Sequence, residues 1–417
     1  MEIVRNKYLS KLISKMNNGL VKIITGIRRC GKSYLLNQIF YRYLIKTGIN
    51  KDHIIMISLD DLENEHLLDP YELNEYVKSK IIDSDKYYVF IDEIQEVSNF
   101  VKVLNGWLKI SNLDIYVTGS NSKFLSSDII TEFRGRGDQI HVFPLSFYEF
   151  FKATKLDFNE AFKLFTVYGG MPFVALQKNE LDKMEYLSNL YNEIYLKDIK
   201  ERYKIKNDSN LMELLAILAS NIGSLTNSHK LSNSFKSKNI NISKNTLDSY
   251  LRILEDSFLI NKSTRYDIKG KKYITTPYKY YFSDIGLRNA RLGFRQIEEN
   301  HIMENIIYNE LIYRGFSVDI GVVEISEKNH NNLFVRKSIE IDFIVNKGNS
   351  KVYIQSSYHL PTEEKLNQEI RPFLNTKDFF KKIIIVHGDI KRKKDENGII
   401  TMSIKDFLLF EDLLWKE

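Results

Sequence analysis

A lysine, a serine and two acids are the residues of this chain whose types and spacing could do chemistry together. The stretch Gly26-Ile27-Arg28-Arg29-Cys30-Gly31-Lys32-Ser33 fits the pattern G-x-x-x-x-G-K-[ST] at every fixed position. Such a loop cradles phosphate. Its glycines let the backbone wrap the anion, and the N–H groups at the start of the next helix point at it. Lys32 would reach the β- and γ-phosphates, Ser33 would place its hydroxyl on Mg²⁺, and the run from Gly26 through Tyr34 would line the nucleotide. A second apolar run, Tyr87-Tyr88-Val89-Phe90-Ile91, ends in Asp92-Glu93, about sixty residues after Lys32. Two acids at the end of a buried strand are costly unless they meet a cation or hydrogen-bond donors. Here Asp92 would hold Mg²⁺ through water and Glu93 would orient or polarise the attacking water.

Three further groups are candidates. The apolar strand Asp114-Ile115-Tyr116-Val117-Thr118 runs into Gly119-Ser120-Asn121. A polar side chain there would sit beside the γ-phosphate, at the carboxyl edge of a parallel sheet. It would equally cap the next helix, and Ser120 and Asn121 both stay open for either role. Arg134 or Arg136 could be an arginine finger acting on a neighbouring subunit's nucleotide, or part of a solvated basic turn. Cys30 is the only cysteine, so no intramolecular disulfide forms. It reads as filler at a variable loop position, with a redox block on the nucleotide as the sharper alternative.

The elements that must position these residues follow from periodicity. Strands and helices alternate over 21–25, 32–46, 53–59, 70–82, 87–92, 98–109, 114–119 and 138–143, which predicts a parallel sheet covered by helices across residues 1–150. Residues 151–205 read as helices, with a turn at Gly169-Gly170. Residues 206–288 read as a winged helix-turn-helix. Its third helix starts after Ser243, and its hairpin tip is Lys269-Gly270-Lys271-Lys272. Lys244, Asn245 and Arg252 on that helix are candidate contacts to double-stranded DNA, with the basic tip on phosphates. The same unit could instead pack on its neighbours or on a protein partner, and Asp248 and Glu255 dilute its basic face. Residues 289–417 alternate again: a helix near 297–314, strands near 316–324, 339–345 and 352–358, a helix near 362–373 and a strand near 382–387. The predicted class is therefore α/β with added helical parts.

Taken together the motifs resemble a known family. Arg5-Asn6-Lys7-Tyr8-Leu9, the loop at Gly26–Ser33, Phe90-Ile91-Asp92-Glu93-Ile94-Gln95 and Val117-Thr118-Gly119-Ser120-Asn121 carry the likeness. So do Arg134-Gly135-Arg136, Pro144-Leu145-Ser146-Phe147-Tyr148-Glu149-Phe150, Tyr168-Gly169-Gly170-Met171-Pro172 and the run from Leu251 to Ile260. The chain resembles the AAA+-type P-loop ATPases of archaea and bacteria that carry a C-terminal domain of unknown function. The resemblance covers nearly the whole chain. It implies ATP binding and hydrolysis with Mg²⁺, makes 151–205 a helical lid, and names no substrate. The element order of 289–417 is similar to the PD-(D/E)xK nuclease fold, in which a helical Glu, a strand Asp and a Glu-x-Lys hold Mg²⁺ and activate water. Glu304 and Asp342 match the first two positions. Gln355 and Ser357 stand where Glu-x-Lys belongs, so a neutral amide replaces a carboxylate and a hydroxyl replaces an ammonium. The fold is expected to be restriction-endonuclease-like and its chemistry degenerate. Glu304 and Asp342 could also be ordinary polar positions at a sheet edge.

Composition bounds the rest. At 417 residues the chain exceeds one core, and its net charge of +6 is too mild to establish nucleic-acid binding. No apolar run approaches the ~18 residues needed to span a bilayer, and the charged amino end lacks a signal-peptide core. A cytoplasmic protein without membrane partners is expected, and a homo-oligomer stays open. Two functions from different classes follow: an ATPase that couples turnover to conformational change, on DNA or on a protein, and a nucleotide-gated binding module with little turnover. A nucleotide-controlled nuclease is the minor third.

Overall fold

The computed structural model describes residues 3–119, 135–205, 208–328 and 333–411. The chain divides into two compact units. The first ends at Pro144 and also takes in Asp256–Leu259; the second holds Leu145–Glu255 and the chain from Ile260 onward. The segments 151–205 and 289–417 thus fall in the second unit, as does 206–288 apart from Asp256–Leu259.

The first unit is a parallel sheet of five strands: β1 (Val21–Thr25), β2 (Ile54–Ser58), β3 (Tyr87–Asp92), β4 (Leu113–Thr118) and β5 (Gly137–His141), in the order β2-β3-β4-β1-β5. Every residue of β1 and β3 is buried, as expected of strands covered on both faces. One face packs Ile23, Ile57, Val89, Ile91 and Val117 with Leu104 and Trp107 of the helix Phe100–Trp107. Aromatic rings recur elsewhere in the core, where Phe40 lies 5.6 Å from Phe90 and 4.9 Å from Tyr116. Phe40 belongs to the helical run 32–46, which contains a π-helical stretch at Leu35–Phe40. Register fixes what matters next. Ile24 pairs with Thr118, Thr25 with His141, Ser58 with Asp92, and Ile91 with Val117, so the carboxyl ends of all five strands come level at one edge.

The second unit begins with the helices Phe147–Thr154, Phe158–Tyr168, Pro172–Leu176 and Glu180–Asn189. The first is fixed by a capping box. Ser146 Oγ accepts from the Glu149 N–H at 3.2 Å, and Glu149 Oε2 accepts from the Ser146 N–H at 3.0 Å. The Gly169-Gly170 pair does more than turn the chain. Buried Asp284 accepts from the Gly170 N–H at 2.7 Å, and a Cβ on Gly169 (φ +69°) would come within 2.4 Å of the Asp284 carboxylate. Only glycine allows that approach.

Helices Asp208–Ser220, Ser228–Lys236 and Lys244–Asp256 follow, then the hairpin of β6 (Ile260–Asp267) and β7 (Lys272–Phe282). A bridge between Thr226 and Tyr278 completes the winged helix-turn-helix. Its wing is not a free flap. β6 pairs in parallel with β8 (Ser317–Lys328), which continues through β9 (Phe334–Lys347), β10 (Ser350–Ser357), β11 (Lys381–Val386), β12 (Lys393–Lys394) and β13 (Ile400–Ser403). The result is one eight-stranded sheet, β12-β13-β11-β10-β9-β8-β6-β7, against which the helices Glu299–Tyr313 and Glu363–Leu374 pack.

Candidate functional site

The phosphate loop leaves β1 at Thr25 and returns to helix at Lys32. Arg29 (φ +64°) and Gly31 (φ +98°) take left-handed conformations that tighten it. At Gly26 the fit excludes any side chain, because a Cβ would lie 2.1 Å from the Val142 carbonyl oxygen. Ile27 and Cys30 point into the core, whereas Arg28, Arg29 and Tyr34 are exposed. Lys32 is buried, and its Nζ donates to the carbonyls of Gly26 at 3.1 Å and Ile27 at 3.3 Å. Cys30 is not simple filler. Its Sγ donates to the Val142 carbonyl at 3.3 Å, and burial pushes the thiol up, so it is not the exposed thiolate that a redox block requires.

Asp92 and Glu93 come to the same edge from β3. The Asp92 carboxylate accepts from the hydroxyls of Thr118 and Ser33. Burial raises its pKa above the ordinary range, and those two hydroxyls pull it part of the way back. Glu93 adopts φ +55°, a conformation that a non-glycine residue holds only under constraint, and its N–H donates to Thr118 Oγ1 at 3.1 Å. Gln95 donates its side-chain amide to the Glu93 carboxylate. Thr118 therefore ties the two acids to β4. The sequence signal for it, a hydroxyl at the last position of a buried strand, was available inside the Val117-Thr118 motif.

Two more residues shape the site. His141 closes β5, its Nδ1 3.2 Å from Thr25 Oγ1. Burial, with Lys32 and Lys11 nearby, pushes its imidazole down to about 4, so it is neutral at pH 7. Arg5 precedes the helix Asn6–Ser14 and donates to the Cys30 carbonyl at 3.1 Å and the Phe143 carbonyl at 2.8 Å. Tyr8 stacks under its guanidinium at 4.6 Å and accepts from the Phe143 N–H at 3.0 Å. Sequence offered no role for Arg5, because its partners are 25 and 138 residues away.

Of the other predicted residues, Ser120, Asn121 and Arg134 lie outside the described residues. Arg136 is not brought to the loop. It precedes β5, where its carbonyl accepts from the Val21 N–H at 2.9 Å, so it sits at the amino end of β1, the end away from Gly26. Its exposed guanidinium lies 3.4 Å from Asn105 Oδ1.

In the second unit Lys244, Asn245 and Arg252 are exposed on the third helix, together with Asp248, which accepts from the Ser228 hydroxyl. Ser243 caps this helix through the Thr246 N–H at 3.1 Å. At the wing tip Lys269 donates to the Glu324 carbonyl at 2.6 Å, leaving Lys271 and Lys272 exposed.

Glu304 and Asp342 meet, but not at a sheet edge. Lys279 of β7 places its Nζ 2.9 Å from Glu304, 2.6 Å from Glu340 and 4.0 Å from Asp342. Burial lowers the lysine's pKa and the three carboxylates more than reverse it, so the group stays charged. Burial and Glu304 together hold the Asp342 carboxyl well above the usual range. Tyr281 donates to Glu304 at 2.7 Å. Gln355 accepts the Asp342 N–H at 3.3 Å, and Ser357 turns to the His359 carbonyl at 3.1 Å. The ammonium beside these acids thus belongs to Lys279 of β7 and not to position 357.

Comparison with known proteins matches an AAA domain over residues 18–151 and a domain of unknown function (DUF8612) over residues 159–298. An uncharacterized protein of Haemophilus influenzae is 34% identical over 98% of this chain and 98% of its own length. An uncharacterized protein of Methanocaldococcus jannaschii is 31% identical over 85% of this chain and 78% of its own. Among solved structures, a Walker-type ATPase of Pyrococcus abyssi aligns with 70% of this chain and 96% of its own at 17% identity and a TM-score of 0.49. The Aeropyrum pernix ORC1 protein in complex with DNA aligns with 70% and 92% at 10% identity and a TM-score of 0.30. With the Haemophilus relative 34% identical over 98% of both chains, this chain belongs to the bacterial and archaeal family of AAA-type P-loop proteins that carry a domain of unknown function.

Proposed function

We propose that the protein is a Mg²⁺-dependent ATPase whose reaction takes place at the carboxyl edge of β1, β3 and β4. The observation that carries this reading is the convergence there of Lys32, Ser33, Asp92, Glu93 and Thr118. The donor set fits the ligands. A hydroxyl and a carboxylate suit a hard cation, and a glycine-walled loop ending in a helix suits phosphate. Ser33 and Asp92 would hold Mg²⁺, which when bound screens the phosphate charges. Lys32 exchanges its two carbonyl partners for phosphate oxygens. Glu93, aimed by its backbone tie to Thr118 and by Gln95, orients the attacking water. Neutral His141 adds no charge of its own beside Lys32.

On this reading 1–150 is the ATPase core, 151–205 a helical lid, 206–288 the winged helix and 289–417 a domain without nuclease activity. Arg136 would act only on the nucleotide of a neighbouring copy. No helix among the described residues is long and apolar enough to cross a membrane. ATP turnover by Glu93→Gln is the test. Binding of ATP is retained and turnover falls by about 100-fold or more. Parent-like turnover removes Glu93 from the mechanism. Repeating the assay with double-stranded DNA separates a DNA-coupled ATPase, whose rate rises, from a protein-directed one.

A further inference from the structure

A cleft of about 1140 Å³ opens in the second unit between the loop after the helix Glu363–Leu374 and the edge strand β12. Its lining carries six cations, Lys377, Lys381, Lys382, Arg392, Lys393 and Lys394, against one acid, Asp378. That acid is committed. It accepts from the Tyr353 hydroxyl at 2.7 Å and lies 3.6 Å from Lys382. The same carboxylate accepts the Phe380 N–H at 3.3 Å and the Thr376 hydroxyl at 3.2 Å, which holds the loop in shape. Phe380 is anchored edge-on to Tyr353 at 6.0 Å. Phe379 is left with a relative exposure of 106%, wholly in solvent.

Edge lysines by themselves are unremarkable, since they discourage a sheet from pairing with another chain. A fully exposed phenylalanine beside them works against that purpose and calls for a different explanation. We propose that this cleft binds single-stranded nucleic acid, with Phe379 as a stacking platform and the lysines and Arg392 along the phosphates. Strand-binding proteins combine a basic groove with exposed rings, and every base offers a π-face. A duplex keeps those faces inside its stack. A flat membrane surface would meet Phe379 but not the cations that line the hollow, and an acidic peptide would use the charges but not the ring.

The test is fluorescence anisotropy of the full chain with a labelled oligothymidylate of about 20 nucleotides, a length that spans such sites. Duplex DNA, phosphatidylserine vesicles and polyglutamate serve as competitors. Phe379 and both β12 lysines are exposed, so their variants keep the fold. Phe379→Ala is expected to weaken binding by about tenfold or more. Lys393→Gln with Lys394→Gln weakens it too and lowers the salt slope by about 1.4. The wing variant Lys271→Gln with Lys272→Gln stays near the parent. Unchanged affinity in both cleft variants, or loss only in the wing variant, overturns the proposal. So does stronger competition by duplex, vesicles or polyglutamate than by unlabelled oligothymidylate, which would make that competitor the occupant. ATP turnover in the absence of nucleic acid is measured separately, so failure here leaves the nucleotide site untouched.

Discussion

Each unit has a site where acids gather beside a buried lysine, and these two sites handle their charges in opposite ways. In the first, Lys32 rests on carbonyl oxygens and Asp92 on hydroxyls, so cation and anion are each satisfied by neutral groups. In the second, Lys279 lies directly among Glu304, Glu340 and Asp342. Neutral partners are exchanged cheaply when a ligand of opposite charge arrives; a buried ion pair is broken only at large cost. The lesson is that acids and a lysine in proximity do not identify a reactive site. What matters is whether they have already spent their charge on each other.

Breaking the spent pair should have the largest effect. Lys279→Met leaves its carboxylates without a cation and should cost about 3–5 kcal/mol in chemical denaturation. Added Mn²⁺ should then raise the melting temperature of the variant and not of the parent. A parent equally stabilised by Mn²⁺ would show that the cluster is still open to metal, and the contrast would collapse. In the other unit Lys32→Ala should lower ATP turnover by about 100- to 1000-fold, the scale for losing one donor to developing phosphate charge, with little change in melting.

Acid should probe the same contrast. The imidazole of His141 is pushed down to about 4, against about 6.5 in an unfolded chain. Below pH 6.5 the unfolded state takes up a proton that the native state refuses. Stability is therefore full above pH 6.5 and falls as the pH drops toward 4, by about 3 kcal/mol at most from this group. Denaturation of His141→Gln across that window should show a shallower fall than the parent; matching slopes would place the acid sensitivity elsewhere. Smallest is Thr118→Val. It removes one hydroxyl from Asp92 and from the Glu93 N–H, and turnover should drop about tenfold, on the scale of a hydrogen bond to a charged group.

The sequence reveals the two sites unequally for the same physical reason. Phosphate binding is done by consecutive backbone N–H groups, so Gly26 to Ser33 must be contiguous and can be read directly. The strand ends at Asp92 and Thr118 are likewise marked where apolar runs stop. Lys279 is invisible to such reading. It lies 25 residues from Glu304, on a strand that sequence assigns to a wing, and only the joining of β6 to β8 brings wing and acids into one sheet. Element ranges are largely legible in both units, since periodicity is local. Which strands share a sheet is not, because long-range pairing leaves no periodic mark.

The clamp of Arg5 and Tyr8 carries a practical consequence. The loop that meets the nucleotide does not hold its shape alone; a guanidinium from the first few residues is one of its fasteners. Shortening the amino end past Arg5, or fusing a bulky partner against it, should slacken the loop before ATP arrives. Affinity would then fall even though every residue from Gly26 to Ser33 is intact, because binding would have to restore an order that the clamp supplies in advance.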